Sequence, residues 1–514
     1  MNVKKVVEKP FLLLIFSAVL SALPFTFSSL FLLSWVSFVP LFYVIIKASA
    51  DKLLRIFGRG FLFGFLYHAC IYYWFIWFYP LDYVNLTNGA SVAVVALAWF
   101  GISMVHGVLW CLPFVGCHFA KKVYDNKIFL SLVGIIGIIA AQKITALGEL
   151  SFPWARISLG QYKATALIQS ASIWGAEGVD ILILLINALI TIALLSNSKK
   201  RLLSFIIAAT LFCSNLFFGI ARINTTPTGQ NLTIMTVQAS VTQDEKWDSK
   251  GDKICLEVYT SLTKNNITDE VDLILWPESA VPKIYKNANA LKDYKKLSKE
   301  LDTPILAGII LKTAAGNTNN AILVNHDGAQ AIYNKRQMVP FGEYMPYKAL
   351  LSRLFPMLTE LNIIEDDYVG GDSAEIMSVN DGKLGNIICF ESIYPHLTRQ
   401  STLDGAQLMV ELTNDSWLKD SPAMYQHLSH GVFRSVENGR YLVRSANSGI
   451  SAVIDSRGNI KSVLDINKTG VITDNVQYIE KQTIYTKTGD LLFPLYCVAV
   501  LIWFITVIIK KIKR

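Results

Sequence analysis

The sequence predicts a polytopic α-helical membrane domain joined to an α/β domain on the outer side of the membrane. Two observations support this fold class. The chain of 514 residues is 52% hydrophobic and only 17% charged, whereas soluble globular proteins are about 25% charged. The apolar residues are also unevenly distributed, because residues 1–222 and 489–509 consist largely of long apolar runs and residues 223–488 do not. A single soluble domain is therefore excluded.

The apolar runs are long enough to cross a membrane. A bilayer core about 30 Å thick requires roughly 20 apolar residues in a helix. Lysines precede the first run, as in a signal peptide, but further spans follow at once, so we interpret it as an uncleaved helix. The runs predict seven helices in 1–222 and an eighth in 489–514, at about 10–26, 29–47, 58–79, 90–118, 128–147, 173–196, 202–221 and 489–509.

The charges of the loops predict the orientation in the membrane. By the positive-inside rule, loops rich in Lys and Arg lie in the cytoplasm. Such residues occur in 48–57, 119–127, 197–201 and the tail 510–514, whereas loop 80–89 has none. The prediction is a bacterial inner-membrane protein with both termini in the cytoplasm and its polar block in the periplasm, or outside a cell that has a single membrane.

The polar block, residues 223–488, alternates apolar strand-like runs with amphipathic helices. This alternation is typical of an α/β domain with buried sheets, and about 265 residues are enough for one core. Strands are predicted at 232–240, 271–279, 303–311, 319–328, 329–338, 384–392, 406–415 and 441–456, and helices at about 252–265, 290–301, 394–403 and 422–438.

The distribution of charge argues against nucleic acid as a partner. Residues 1–222 hold 17 Lys and Arg against 7 Asp and Glu, and the last five residues add four more basic groups. The basic surplus therefore flanks the apolar spans, since those parts carry +14 and residues 223–509 carry −6, which together give the net charge of +8. A nucleic-acid-binding protein carries its basic charge on a folded polar face.

Two of the seven cysteines, Cys255 and Cys389, lie in the polar block. An oxidising compartment favours a disulfide between them. The alternative is that Cys389, in the strand-like run LGNIICF among polar motifs, is a free and reactive thiol.

Three polar residues interrupt or end apolar strands. Glu278 follows LILWP, Lys335 lies among apolar and aromatic neighbours, and Cys389 is followed two positions later by Glu391. If that strand continues, Cys389 and Glu391 point the same way. Singly, the three could be a capping Glu, a surface Lys and an inert Cys. Together a carboxylate base, an ammonium and a thiol suit acyl transfer through a covalent intermediate.

The segments around these residues resemble a known family. WPES, YNKRQMVPFGEYMP and GNIICFES, in that order, are similar to the Glu, Lys and Cys motifs of the nitrilase, or carbon–nitrogen hydrolase, superfamily. The wider set resembles the apolipoprotein N-acyltransferase family, whose motifs span nearly the whole chain. It consists of FPWARISLGQ (152–161), VQASVTQDEKW (237–247), VPFGEYMP (339–346), LTNDSW (412–417), Gln426-His427 and ENGRYLVRSANSGISAVID (437–455).

The resemblance implies a fold and a set of site residues. The outer block would be a nitrilase-like αββα sandwich at 223–488, between a seven-helix domain at 1–222 and a final helix with a basic tail at 489–514. Glu278 would be the general base, Lys335 the oxyanion stabiliser and Cys389 the nucleophile. Glu343 and Glu391 would be supporting carboxylates, and Trp247 would lie near the lipid site.

The same resemblance implies a two-step reaction. Cys389 would take an acyl chain from a membrane phospholipid as a thioester. The N-terminal amine of a diacylglyceryl-modified apolipoprotein would then accept it, in the last step of lipoprotein maturation. No cofactor and no metal is implied. The acyl-chain preference, the lipoproteins served and the oligomeric state are not predictable.

Two other functions remain open at this stage. One is a membrane-tethered nitrilase-type amidase that hydrolyses a small amide with the same triad. The other is a transporter or receptor whose outer domain only binds, which the scarcity of acidic residues in the spans disfavours. The apolar segment 347–364 is either an ordinary core helix or a membrane-touching lid over the site.

Overall fold

Long apolar helices form the N-terminal part of the protein. The structure is a computed structural model that describes residues 9–48, 51–81, 86–225, 227–287, 291–354 and 367–512. The helices of this part are α1 (Pro10–Thr26), α2 (Val39–Ala48), α3 (Leu53–Ile71), α4 (Asn88–Leu109), α5 (Leu112–Val123), α6 (Lys127–Ile144), α7 (Thr165–Ile168), α8 (Ala171–Leu194) and α9 (Ser198–Ile223).

Within the described residues, six helical segments are long and apolar enough to cross a membrane, by length and composition. Two shorter apolar helices, Pro10–Thr26 and Leu492–Thr506, lie where the first and last spans were predicted. The six segments are Ser28–Lys47, Leu53–Phe78, Asn88–Val123, Lys127–Ile144, Ala171–Leu194 and Ser198–Ile223.

Not every predicted span is a single α-helix, and in 29–47 a 3-10 helix over Ser28–Trp35 precedes α2. The run 90–118 is not a single helix, because α4 ends at Leu109 and α5 begins at Leu112. Pro113 lies in the first turn of α5, and a proline without an N–H cannot continue the hydrogen bonds of a preceding helix. The break lets Pro113 approach α6 closely. A Cβ atom added to Gly137 of α6 would lie 2.4 Å from the Cα of Pro113.

The C-terminal part is an α/β domain built on two sheets. Its strands are β1 (Gln230–Gln238), β2 (Leu273–Trp276), β3 (Ile284–Tyr285), β4 (Ile305–Thr313), β5 (Gly316–Asn325), β6 (Gly328–Asn334), β7 (Met377–Val379), β8 (Gly382–Ile388), β9 (Leu408–Thr413), β10 (Leu442–Ala446), β11 (Ser451–Ile454), β12 (Ile460–Leu464) and β13 (Gly470–Tyr478). Its helices are α10 (Gln243–Lys246), α11 (Gly251–Asn266), α12 (Lys292–Leu301), α13 (Lys348–Leu354), α14 (Pro395–Leu403), α15 (Ala423–Asn438), α16 (Ile484–Thr488) and α17 (Leu492–Ile512).

The two sheets have mixed strand directions. The first has the order β13–β1–β2–β4–β5–β6, with β3 also beside β4, and β1, β2 and β4 are parallel. The second has the order β12–β11–β10–β9–β8–β7, with β8, β9 and β10 parallel. The parallel strands occupy the middle of each sheet, and antiparallel strands form the edges.

Three hydrophobic cores define four layers. Leu273 and Leu306 of the first sheet share one core with Leu408 and Val443 of the second, so the sheets pack face to face. The outer face of the first sheet packs on α11 and α12. The outer face of the second sheet packs on α14 and α15, and this core continues into the helical part. The layers are therefore helix, sheet, sheet, helix, which is the predicted αββα sandwich.

Four other sequence predictions can be compared with the structure. The run 441–456 is two strands, β10 and β11, and the run 384–392 stops being a strand after Ile388. Cys255 and Cys389 are both free thiols, so the disulfide alternative is wrong. In segment 347–364, residues Lys348–Leu354 form α13, and the rest, with Phe355, lies outside the described residues.

Candidate active site

Glu278, Lys335 and Cys389 meet at one edge of the sandwich. Glu278 lies two residues beyond β2, and Lys335 and Cys389 directly follow β6 and β8. In the first sheet β2 and β6 run in the same direction, because two antiparallel pairings separate β4 from β6. The carboxyl ends of these strands therefore bring side chains that are distant in sequence to one place.

Lys335 lies between two carboxylates. Its Nζ is 3.2 Å from Glu278 Oε1 and 2.8 Å from Glu343 Oε1, and its side chain is 1% exposed. Burial alone would lower the pKa of Lys335, but the two carboxylates outweigh it and hold this pKa well above its usual range. The ammonium form is therefore the one present at this site.

Hydrogen bonds fix the carboxylate of Glu278. Asn319 Nδ2 donates to its Oε1 at 2.6 Å, and the backbone N–H of Asn414 donates to its Oε2 at 2.9 Å. Asn319 also donates to Glu343 Oε1 at 3.0 Å. Glu343 accepts a further bond on Oε2 from Val339 N at 2.8 Å. The carboxylates of Glu278 and Glu343 therefore both contact the ammonium of Lys335 and the side-chain amide of Asn319.

Cys389 begins a tight turn at the end of β8. Its φ of +52° is in the left-handed region, which non-glycine residues adopt at a cost of about 1–2 kcal/mol. Burial raises the pKa of its thiol well above the usual range, the carboxylate of Glu278 raises it further, and Lys335 lowers it only in part. The resting residue is therefore a neutral thiol, and its activation requires a base.

Glu391 does not lie beside the Cys389 thiol as a continuing strand would place it. A 3-10 turn over Cys389–Ile393 replaces the strand. The Glu391 carboxylate instead accepts bonds from Ile388 N at 2.7 Å, Arg336 N at 2.6 Å and the Tyr333 hydroxyl at 2.8 Å. It therefore ties the backbone beside Lys335 to the backbone beside Cys389.

A buried charged group lies behind Cys389, and no role had been predicted for its members. His427 Nδ1 is 2.9 Å from Asp415 Oδ1, and its Nε2 is 3.1 Å from the carbonyl oxygen of Cys389. Arg444 binds the carboxylates of Asp415 and Glu411. The motifs LTNDSW and Gln426-His427 contain two of these residues, but the sequence does not show that α15 brings His427 beneath Cys389.

Two members of this group form, together with Cys389, the one set of potential metal ligands among the described residues. Donor atoms of Cys389, Asp415 and His427 lie within 4.8 Å of one another. Asp415 is hydrogen-bonded to His427 and also to Arg444. What the structure contains here is a hydrogen-bonded ionic group.

The site abuts the loop between α6 and α7 in the helical part. Phe390, next to Cys389, stacks on Phe152 with ring centroids 5.9 Å apart. Trp154 donates its indole N–H to Gln426 Oε1 at 2.7 Å. Trp247, at the end of α10, has a side chain that is 53% exposed. The site therefore adjoins the helical part through Phe390 and Gln426, and Trp247 presents an apolar ring to the surroundings.

Comparisons with known proteins cover both parts of the chain. The family model for carbon–nitrogen hydrolases matches residues 236–482, and the model for the N-terminal domain of apolipoprotein N-acyltransferases matches 17–189. The apolipoprotein N-acyltransferase of Geobacter metallireducens is 29% identical over 504 residues, covering 96% of this chain and 94% of the relative. That of Gloeobacter violaceus is 28% identical over 472 residues, covering 90% and 87%.

Solved structures also align with part of this chain. A carbon–nitrogen hydrolase superfamily protein from Xanthomonas campestris aligns with a TM-score of 0.39 at 17% identity, over 52% of this chain and 97% of that one. The likeness to the two curated relatives runs through the helical part and the α/β part alike.

Proposed function

The chain belongs to the apolipoprotein N-acyltransferase family of the carbon–nitrogen hydrolase superfamily, and from this we propose that it carries out the last step of lipoprotein maturation. It takes an acyl chain from a membrane phospholipid and transfers it to the N-terminal amine of a diacylglyceryl-modified apolipoprotein. The observation that carries the chemistry is the convergence of Glu278, Lys335 and Cys389 at one buried edge of the sandwich.

In the first half-reaction Cys389 becomes acylated. Glu278 takes the proton of the neutral thiol, and the sulfur attacks the ester carbonyl of the phospholipid. The ammonium of Lys335 stabilises the negative charge that develops on the carbonyl oxygen. The C–O bond then breaks, and Glu278 returns the proton to the leaving oxygen, which releases a lysophospholipid and leaves a thioester.

In the second half-reaction the acyl chain moves to nitrogen. The neutral α-amine of the apolipoprotein attacks the thioester carbonyl, and Glu278 takes the excess proton. The C–S bond breaks, an amide forms, and the thiol of Cys389 regains its proton. One site thus serves two substrates in turn, which is a ping-pong mechanism, and the two steps balance without a cofactor.

Supporting residues hold the two reacting groups. Glu343 and Glu278 both contact the ammonium of Lys335, and Glu343 so holds this cation in position. Glu391 joins the segment of Lys335 to the turn of Cys389 through four hydrogen-bonded backbone and side-chain donors. We propose Trp247 as a contact for lipid, since its exposed ring adjoins Lys246, which donates to the carbonyl of Glu278 at 3.4 Å.

The proposal includes an arrangement in the membrane. This is a multi-pass inner-membrane protein; we propose a seven-helix domain at 1–222, a periplasmic catalytic domain at 223–488 and an eighth helix with a basic tail at 489–514. Both termini are cytoplasmic. The support is the concentration of Lys and Arg in alternate loops.

The amidase alternative is not favoured. A soluble-type hydrolase would account for the residues of the sandwich but not for the family match over 17–189. The curated relatives matched over most of the chain are named acyltransferases.

The test is the N-terminal mass of a lipoprotein made in cells with and without this protein. We expect one additional amide-linked acyl group when the protein is present and none when it carries Cys389→Ala. Cys255→Ala is the matched control, because this thiol is also buried in the same domain. An unchanged lipoprotein mass in cells lacking the protein would refute the proposed function.

A further inference from the structure

Asp180 is a buried carboxylate within a predicted membrane span. It lies on α8, none of its side chain is exposed, and the reaction proposed above does not use it. An ionisable group inside a span is costly to bury, so such groups are usually paired and have a function. The contacts of Asp180 therefore indicate its role.

Asp180 holds the middle of the motif FPWARISLGQ. Its Oδ2 is 3.3 Å from Arg156 Nε, and its Oδ1 accepts from the backbone N–H of Ser158 at 2.6 Å. In the amide orientation that satisfies both of its polar atoms, Gln142 donates to Asp180 Oδ2 at 3.1 Å and accepts from Ile157 N at 3.2 Å. Asp180 and Gln142 together therefore fix three successive residues of the loop between α6 and α7.

The same loop carries the aromatic rings that contact the α/β domain. Phe152 stacks on Phe390, which directly follows Cys389. Trp154 is 1% exposed and donates its indole N–H to Gln426 at 2.7 Å. Both rings lie within four residues of the segment that is held on α8. The position of these rings relative to the membrane helices is therefore set by that attachment.

A second contact joins α8 to the α/β domain directly. Gly175, with a φ of +70°, interrupts α8, and the helix resumes at Ala176. The backbone N–H of Ala176 donates to Glu437 Oε1 of α15 at 2.8 Å. Ala176 and Asp180 are four residues apart and so lie on the same face of α8. One helix thus contacts both the α/β domain and the loop that abuts the Cys389 turn, and it is a common reference for the two.

We propose that Asp180, through its ion pair with Arg156, is a positioning residue for the acylation of Cys389 by bilayer phospholipid. It fixes the loop on α8, and the rings of that loop fix the Cys389 turn relative to the membrane helices. Asp180 acts through the loop and not on the reacting atoms. The inference rests on the proposed function in that it takes Cys389 as the nucleophile and phospholipid as the donor.

The test compares two acyl donors on the full chain. Asp180→Asn keeps an oxygen for the Ser158 N–H but removes the charge that pairs with Arg156. In vesicles of labelled phospholipid without acceptor, we expect thioester formation about 10²-fold slower, which is the cost of an ångström of misplacement at the reacting atoms. In detergent micelles, acylation by p-nitrophenyl butyrate should match that of wild type, because a soluble ester reaches the thiol at any height. Equal losses with both donors, or no loss with bilayer phospholipid, would overturn the inference.

A second variant covers misfolding of the first. Asp180→Asn leaves the buried guanidinium of Arg156 without its partner, which is destabilising. Asp180→Asn/Arg156→Gln leaves no unpaired charge, and it should show the same selective loss with bilayer phospholipid. The matched control is Asp51→Asn, because Asp51 also pairs with an arginine of the helical part, Arg59, at 2.6 Å. It should behave as wild type with both donors, and an equal loss there would refute a specific role for Asp180.

A double-variant cycle tests whether Asp180 acts through the loop. Phe152→Leu removes the ring that stacks on Phe390. Independent changes have multiplicative effects on a rate, whereas changes along one physical connection do not. The losses of Phe152→Leu and Asp180→Asn with bilayer phospholipid should therefore combine to less than their product. A full product would contradict the positioning role, and a merely structural destabilisation would give that result.

The outcomes distinguish the two proposals. If wild type forms no thioester from bilayer phospholipid, the proposed function and this inference both fall. If wild type forms the thioester and Asp180→Asn does so at the same rate, only the inference is refuted.

Discussion

Replacing Lys335 by methionine gives the sharpest test of the electrostatics of the site. Lys335 Nζ lies 3.2 Å from Glu278 and 2.8 Å from Glu343, and the three side chains are 1%, 8% and 13% exposed. Methionine keeps much of the volume and removes the charge. Two carboxylates are then left on a buried site without a cation, and like charges so placed cannot both remain ionised.

The size of the effect follows from these distances. A unit charge pair about 3 Å apart in an effective dielectric of about 20 interacts by roughly 5 kcal/mol. Removal of one partner from a buried pair costs about 3–5 kcal/mol, which is similar. Uptake of a proton by one carboxylate reduces this cost. The loss of the oxyanion stabiliser adds a decrease in rate of about 10²–10³.

The assay is single-turnover thioester formation as a function of pH. Lys335 lowers the pKa of the Cys389 thiol, so in Lys335→Met this pKa rises and the profile should move to higher pH. Adding Glu343→Gln removes the competing carboxylate. The double variant still lacks the cation that lowers the thiol pKa and stabilises the oxyanion, so its profile should stay shifted and its rate should stay low. A Lys335→Met enzyme with the wild-type rate and profile would refute this reasoning.

Three further predictions concern the nucleophile, its base and the topology. Cys389→Ala should hold no label from phospholipid, and Cys389→Ser should trap an ester that neutral hydroxylamine does not release; label on Cys389→Ala would exclude the assigned nucleophile. Glu278→Gln should lower the thiol pKa, because the carboxylate raises it, so alkylation of Cys389 by iodoacetamide at pH 8 should be faster although acylation is lost. Slower alkylation would contradict the negative charge assigned to Glu278. A reporter active only outside the cytoplasm should work near residue 250 and fail after Arg514, and the opposite pattern would reverse the orientation.

The sequence predicted the central elements of the sandwich better than its edges. The predicted helix 252–265 is Gly251–Asn266, and the predicted 422–438 is Ala423–Asn438. By contrast β7, β12 and β13 were not predicted, and each is an edge strand. Edge strands are partly open to solvent, as at Thr473 and Asn475 of β13, and so lack the apolar run that identifies a buried strand.

The candidate site was predictable only as far as each residue ends its own strand. Glu278, Lys335 and Cys389 are visible as polar residues that interrupt apolar runs. Asn319 is not, because its contact with Glu278 depends on the pairing of β4 and β5, which places it beside the end of β2. Glu391 was predicted to lie beside the thiol because the run was expected to continue as a strand beyond Ile388. The strand ends at Cys389, which has a left-handed backbone conformation. The sequence gives no clear sign of this conformation, because the residue is a cysteine.

The packing of the sandwich fixes the height of the nucleophile relative to the membrane helices. The layer that packs on the helical part is the one that contains α15, and a single hydrophobic core includes Ile387 of β8, Val432 of α15 and Trp154 of the loop between α6 and α7. Phe390 stacks on Phe152 directly beyond the thiol. A hydrolase that acts on a small soluble amide does not require a contact such as that between Phe390 and Phe152. An enzyme that must meet an ester group at a fixed depth in a bilayer needs it, because an ångström of misplacement at the reacting atoms costs about 10²-fold in rate.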